Sequence, residues 1–273
     1  MNPQTPIRNV AQRASGEPAS YSRIKFDLKP PIAAITLSNP PLNVIDFCMM
    51  EELSHVLTEM EGRRDVWIIV LQGSGTAFST GVDVAIHTPD KVEEMLARFH
   101  GIVKALVSSR KVTIAAVQGS CLGGGAELAF VCDFVYTTES ACWGFPEIKL
   151  GCYPPVACTA LAALIGQKAA ADLILTGRTI SGKEAASLRL ANRAVSDDGL
   201  HSAVQEATGH LSKLSSAALA ASKKAIYAWD SVHFDKGLAR AEKIYLEDVM
   251  RSTDAQEGIR AFLEKREPKW KGE

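Results

Sequence analysis

The chain has 273 residues, 47% of them hydrophobic, enough to bury about 75% of its unfolded surface in one large domain with or without an appendage. Thirty basic residues against 31 acidic ones leave a net charge of -1, which excludes a global field drawing the chain to nucleic acid or an anionic membrane. The six cysteines lie in apolar or glycine-rich runs without a CxxC pair, and the six histidines show no HxxxH or HxH spacing, so reduced packing thiols and no metal site are expected.

Residues 1–20 are polar, carry Pro3, Pro6 and Pro18, and lack the apolar stretch of a secretory signal. They read as a flexible leader. With no apolar run near the roughly 18 residues of a membrane span, a cytoplasmic protein is expected. Two strand-like runs, 24–28 and 32–37, flank Lys29-Pro30-Pro31 and read as a hairpin. After the stiff loop Pro40-Pro41-Leu42-Asn43, Asp46 caps a predicted helix over 47–60, with Met49, Met50, Leu53, Val56, Leu57 and Met60 on its apolar side. Residues 66–71 read as a buried parallel strand ending in Gln72-Gly73-Ser74-Gly75. A helix over 91–107 leads to a second buried strand, 113–117, which runs into the glycine triplet 123–125, where another helix starts. Short strands follow at 134–137 and 141–145, then helix-rich sequence over 156–190 and a closing strand at 192–195.

This βαβ rhythm with in-line strands defines α/β class with a parallel sheet over a core of residues 21–199. Beyond it, segments 200–214, 216–229, 233–250 and 254–265 show only helical spacing, so 200–273 reads as a helical region that packs between subunits.

Two glycine loops end two of these buried strands, where α/β sheets place their sites. The first is Ala77-Phe78-Ser79-Thr80-Gly81-Val82-Asp83 and the second Gln118-Gly119-Ser120-Cys121-Leu122-Gly123-Gly124-Gly125. Main-chain amides of Val82 and of Gly124, at a helix mouth, can converge on a carbonyl oxygen that becomes negative. Each glycine can equally serve a tight turn.

Glu127 falls in the first helical turn, where the macrodipole favours the carboxylate and an apolar pocket would oppose it; a solvated face is the alternative. Glu147 stands in Trp143-Gly144-Phe145-Pro146-Glu147, a desolvating neighbourhood. Two carboxyls in unlike environments suit one base and one acid. Asp83 reads as a loop anchor and Asp133 as a helix-to-strand junction residue. Ser120 lacks the glycine two positions before it that a nucleophile elbow needs, and neither GxxxxGK[ST] nor GxGxxG is present.

In this order the two glycine loops, Glu127-Leu128-Ala129, Cys132-Asp133, Gly144-Phe145-Pro146-Glu147 with Leu150-Gly151, and Lys265-Arg266-Glu267-Pro268 resemble the crotonase, or enoyl-CoA hydratase/isomerase, superfamily over residues 22–268. The resemblance implies a spiral of ββα turns with a helical trimerisation region, a trimer or dimer of trimers, an acyl-CoA thioester substrate, and no cofactor beyond the coenzyme A of that substrate. It implies oxyanion-hole amides at Val82 and Gly124, and Glu127 and Glu147 as the catalytic pair of hydratase members. Substrate contacts are implied at Phe78, Thr80, Gly81, Asp83, Gly123, Gly151, Tyr153 and Pro154. Basic residues at 23–25 and Lys265, Lys269 or Lys271 are candidates for phosphate contacts, with plain surface charge as the alternative for each. The chain departs from typical hydratases at Tyr153-Pro154-Pro155-Val156-Ala157, where a Pro-Gly-Ala-Gly-Gly run is usual. Together with Pro40-Pro41-Leu42-Asn43-Val44-Ile45-Asp46, this run looks most like the cyclohexa-1,5-dienecarbonyl-CoA hydratases of anaerobic benzoyl-CoA degradation.

Overall fold

The computed structural model describes residues 21–272; the leader expected over 1–20 lies outside the described residues. The described residues open with the antiparallel hairpin β1 (Ile24–Lys29) and β2 (Ile32–Leu37), followed by α1 (Phe47–Gly62), whose first turn is capped by Asp46. Three similar units follow. The first is β3 (Ile68–Gly73), β4 (Ala77–Ser79) and α2 (Val92–Ser108). The second is β5 (Val112–Val117), β6 (Ser120–Leu122) and α3 (Gly124–Phe130). The third is β7 (Phe134–Thr138), β8 (Cys142–Gly144) and α4 (Pro155–Ile165). The core ends with α5 (Gln167–Thr176), β9 (Thr179–Ser181), α6 (Gly182–Ser187) and β10 (Arg193–Val195). Then come α7 (Leu200–Leu211), α8 (Ser216–Ile244) and α9 (Thr253–Leu263).

In each unit the long strand joins one sheet and the short strand another. The first sheet has the order β1-β2-β3-β5-β7-β10 and is parallel except for β1; the second has the order β4-β6-β8-β9. Both faces of the first sheet are covered, which is why its central strands read as unbroken apolar runs. Ile69, Leu71, Ala115 and Val117 face the main core with α1 and α2, while Ile68, Val70, Ile114 and Ala116 face Val204 and Leu211 of α7.

The structure adds three strands that the sequence pattern hides. The three-residue strands β4, β6 and β9 are too short to show period-2 alternation. It also corrects the C-terminal helices. The boundary expected near 230–232 is absent, and α8 runs unbroken for 29 residues before a π-helical turn, Tyr245–Val249. Tertiary anchors override the local pattern. Lys223 forms a buried ion pair with Asp133 at 2.8 Å, and His100 Nδ1 in α2 meets Glu242 Oε1 at 2.6 Å. Gly237 lets α8 lie directly against Thr159 of α4. Among the described residues, no helix is long and apolar enough to cross a membrane.

Candidate active site

The two glycine loops meet at the second sheet, because β4 and β6 are parallel neighbours. A Cβ placed on Gly81 would lie 3.2 Å from Gly124 N, and one placed on Gly124 would lie 3.4 Å from Val82 N. The amides of Val82 and Gly124 are therefore side by side. Neither is committed to regular structure. Ile45 uses its N–H and C=O on Gly81 O and Asp83 N, which turns the Val82 amide away from it. Gly124 is the first residue of α3, where no intrahelical acceptor exists.

The first loop is held from below by Asn43, fully buried and with φ 51°. Its side-chain amide donates to Ser74 O at 2.9 Å, Ala77 O at 2.8 Å and Phe78 O at 3.2 Å. Ser79 continues this support, donating to Asn43 O at 2.8 Å and accepting from Gly81 N at 3.1 Å. Asn43 and Ser79 are positioning residues that the sequence reading did not single out; the signal was an Asn in a Pro-rich loop, a residue type that tolerates positive φ.

Glu127 projects from α3 into a fully buried environment, and its carboxylate accepts from Ala157 N at 2.9 Å and from Val156 N. The donors come from the start of α4 rather than from α3 itself, which has seven residues. Tyr153-Pro154-Pro155-Val156-Ala157 is thus the entry of a helix, with Pro155 at its first position, and its free amides face the carboxylate. Burial pushes Glu127 up to about 7, the two amides opposing that rise.

Glu147 lies in a short 3-10 helix, Pro146–Leu150. Its carboxyl group packs on the bare Cα of Gly123, where an added Cβ would sit 2.6 Å from Oε1. With φ 51° as well, position 123 accepts only glycine without strain. Glu147 Oε2 is buried without a hydrogen-bond partner among the described residues. Burial first, and the nearby Glu127 charge second, push Glu147 up to about 8. The amide-bound carboxyl loses its proton first and the unpartnered one keeps it, so near neutrality the pair holds one base and one acid.

The other expected contacts divide. Gly81 and Gly123 shape the amide pair. Phe78 is fully buried in β4 and offers only its backbone, whose carbonyl Asn43 already binds. Thr80 turns to Leu42 O, and Asp83 accepts from Ala85 N at 3.0 Å, anchoring the loop as read. Gly151 makes a left-handed turn against Asp254 and Ala255 of α9, capping the short helix that carries Glu147. Pro154 is buried at the entry of α4, and the Tyr153 hydroxyl donates to Ala241 O at 2.6 Å. Asp133 accepts from Thr113 N at 2.7 Å and pairs with Lys223, the junction role expected of it. Arg23 pairs through Nε with Asp46 at 2.6 Å. Lys269 and Lys271 donate backbone amides to Glu257 and Asp254, which fixes the C-terminal segment against α9.

The fold thus brings two main-chain amides, unpartnered among the described residues, beside an unequal carboxyl pair, an arrangement suited to an enzyme that stabilises a negative oxygen while moving a proton. Comparison with known proteins then gives the family. The model for enoyl-CoA hydratase/isomerase matches residues 28–273, and the chain belongs to that family. It is 31% identical over 254 residues to cyclohexa-1,5-dienecarbonyl-CoA hydratase of Thauera aromatica, covering 93% of this chain and 98% of that one. A probable enoyl-CoA hydratase of Rhizobium meliloti is 36% identical over 258 residues, covering 92% and 99%. Among solved structures, an enoyl-CoA hydratase/isomerase from Xanthobacter autotrophicus Py2 superposes with a TM-score of 0.82 at 29% identity, over 90% of this chain and 98% of that one. The fold and the enzyme class expected from the sequence are those found.

Proposed function

We propose that the chain adds water reversibly to a conjugated enoyl-CoA thioester, with cyclohexa-1,5-diene-1-carbonyl-CoA, giving 6-hydroxycyclohex-1-ene-1-carbonyl-CoA, as its substrate. One observation carries the hydratase reading: Glu127 is supplied with two N–H donors, Glu147 Oε2 with none, and the two carboxyls lie together beside the Val82 and Gly124 amides. The amides bind the thioester oxygen and stabilise the enolate, each worth about 2.7–4 kcal/mol in the transition state. Glu127 takes a proton from water, whose oxygen bonds to the carbon β to the carbonyl. The electron pair of the double bond moves to the enolate, and Glu147 returns a proton to carbon. In the cyclic diene the charge spreads over the second double bond, and the proton enters at its far end, leaving one conjugated double bond. No group beyond the coenzyme A of the substrate is needed for these steps.

The cyclic substrate is supported by the 31% identical relative of that name. The 36% identical relative favours a linear short-chain enoyl-CoA as the second reading. Relative kcat/KM for cyclohexa-1,5-diene-1-carbonyl-CoA and crotonyl-CoA decides between them; preference for the linear ester defeats the cyclic assignment. Release of free acid or free CoA would instead assign a hydrolase. We further propose a homotrimer or a dimer of trimers. Exposed apolar side chains on the outer helices support it, Leu175 of α5 and Ile226 of α8 among them. Light scattering that gives a monomer mass overturns it.

A further inference from the structure

The short 3-10 helix that carries Glu147, Pro146–Leu150, has no wholly buried residue among its five. Glu147 Oε2 lacks a hydrogen-bond partner among the described residues, so the backbone beneath it and the Gly123 surface set where the carboxyl points. That backbone is gripped by the C-terminal helices. Gly258 of α9 lies directly on Leu150: an added Cβ would stand 2.3 Å from its carbonyl oxygen and 2.5 Å from its carbonyl carbon. At Gly151 the same helix comes nearly as close, with Asp254 O 2.9 Å and Ala255 Cα 3.1 Å from an added Cβ. Tyr153 completes the hold, donating to Ala241 O at 2.6 Å, its ring edge-on to Tyr245 with centroids 5.3 Å apart. Of the two partners α9 is the firmer. Its inner face, Ala255, Glu257, Gly258, Ile259 and Ala261, is buried, and Glu257 accepts from Arg266 at 2.6 and 2.9 Å and from Lys269 N at 2.9 Å. A methyl group at 258 therefore displaces the short helix, and Glu147 with it.

We propose that Gly258 is a positioning residue for the reaction: by admitting the Leu150 backbone against α9, it fixes where Glu147 delivers its proton. The proposal rests on Glu147 as the proton donor to carbon. Alanine suits a helix interior better than glycine, so helix propensity alone would favour the substitution. With the better of crotonyl-CoA and cyclohexa-1,5-diene-1-carbonyl-CoA, Gly258→Ala should lower kcat at least about tenfold while KM changes less than about threefold. Gly209→Ala in α7, where an added Cβ meets nothing within 4 Å, should leave both unchanged. In a Glu147→Gln background Gly258→Ala should cost no more than about twofold, because its route to the reaction is already gone. An equal loss in both backgrounds, or a folded Gly258→Ala enzyme with unchanged kcat, overturns the proposal alone. Wild-type kcat in Glu147→Gln overturns the proton-donor reading and the proposal with it.

Wild-type protein supplies a second measurement that needs no substitution. Gly151 N donates to Ile148 O and Cys152 N to Glu147 O, both at 3.1 Å. In native-state hydrogen exchange these two amides should open together with those of residues 257–261 in α9, with one shared urea dependence. Separate opening of the two sets overturns the proposal.

Discussion

Glu147→Gln tests the division of labour between the carboxyls most sharply, because it keeps shape while removing one proton site. Burial and neighbours place the pair near about 7 for Glu127 and about 8 for Glu147. A pair so spaced gives a bell-shaped kcat/KM with about 0.6 of the molecules correctly protonated at its top. Loss of the general acid should lower kcat roughly 10²–10⁴-fold. The descending limb should vanish, while the ascending limb stays near about 7, since burial and the Val156 and Ala157 amides set Glu127 rather than the charge of Glu147. Glu127→Gln should do the reverse: the ascending limb disappears and the descending limb moves to lower pH, because the repelling charge is gone. Stopped-flow loss of thioester-conjugated absorbance across pH supplies the profiles. If Glu147→Gln moves the ascending limb instead, or both variants keep the wild-type bell, the assignment of base and acid is refuted.

The same two groups make stability depend on pH. Both are raised from an ordinary 4.5, so their contribution is fully present below that value and is lost as pH climbs through about 7 and about 8. Relative to wild type, Glu127→Gln should gain about 3 kcal/mol at alkaline pH and little at acid pH, seen as a Tm several degrees higher only on the alkaline side. Gly123→Ala should push the Glu147 carboxyl off its seat, lowering kcat by about 10²-fold, at a stability cost of about 1–3 kcal/mol, measured by steady-state kinetics and urea unfolding. Asn43→Ala leaves Ala77 O and Phe78 O without their donor; a loss of about 2–3 kcal/mol in urea is expected, with kcat falling more than KM rises as the Val82 amide drifts. Lys223→Met removes the ion pair with Asp133 and the donor to Leu106 O and Lys111 O, which should cost about 3–5 kcal/mol, while a double change with Asp133→Asn should recover part of it.

The sheet was legible because its long strands are covered on both faces and carry unbroken apolar runs, β5 most plainly. The grouping of Glu127 and Glu147, and of the Val82 and Gly124 amides, was legible too, since glycines that end buried strands mark exposed backbone. What stayed hidden depends on contacts far apart in sequence. Nothing local says that Ala157 N will reach Glu127, thirty positions earlier, or that Asn43 will support a loop 34 residues on. Pro154-Pro155 did carry a helix-start signal, yet read as bulk beside a pocket it pointed to substrate shape rather than to two free amides. The continuity of α8 was invisible for a related reason: Lys223, Leu238 and Glu242 secure it by reaching other elements, and periodicity sees only the helix itself.

Isotopic water gives the most direct measurement of the central claim, that two amides and an unequal carboxyl pair add water across a conjugated thioester. In ¹⁸O-labelled water the enoyl ester should become a hydroxyacyl-CoA carrying the label on carbon, with CoA still attached. Label in a released carboxylate, or a shifted double bond with no label at all, would contradict it.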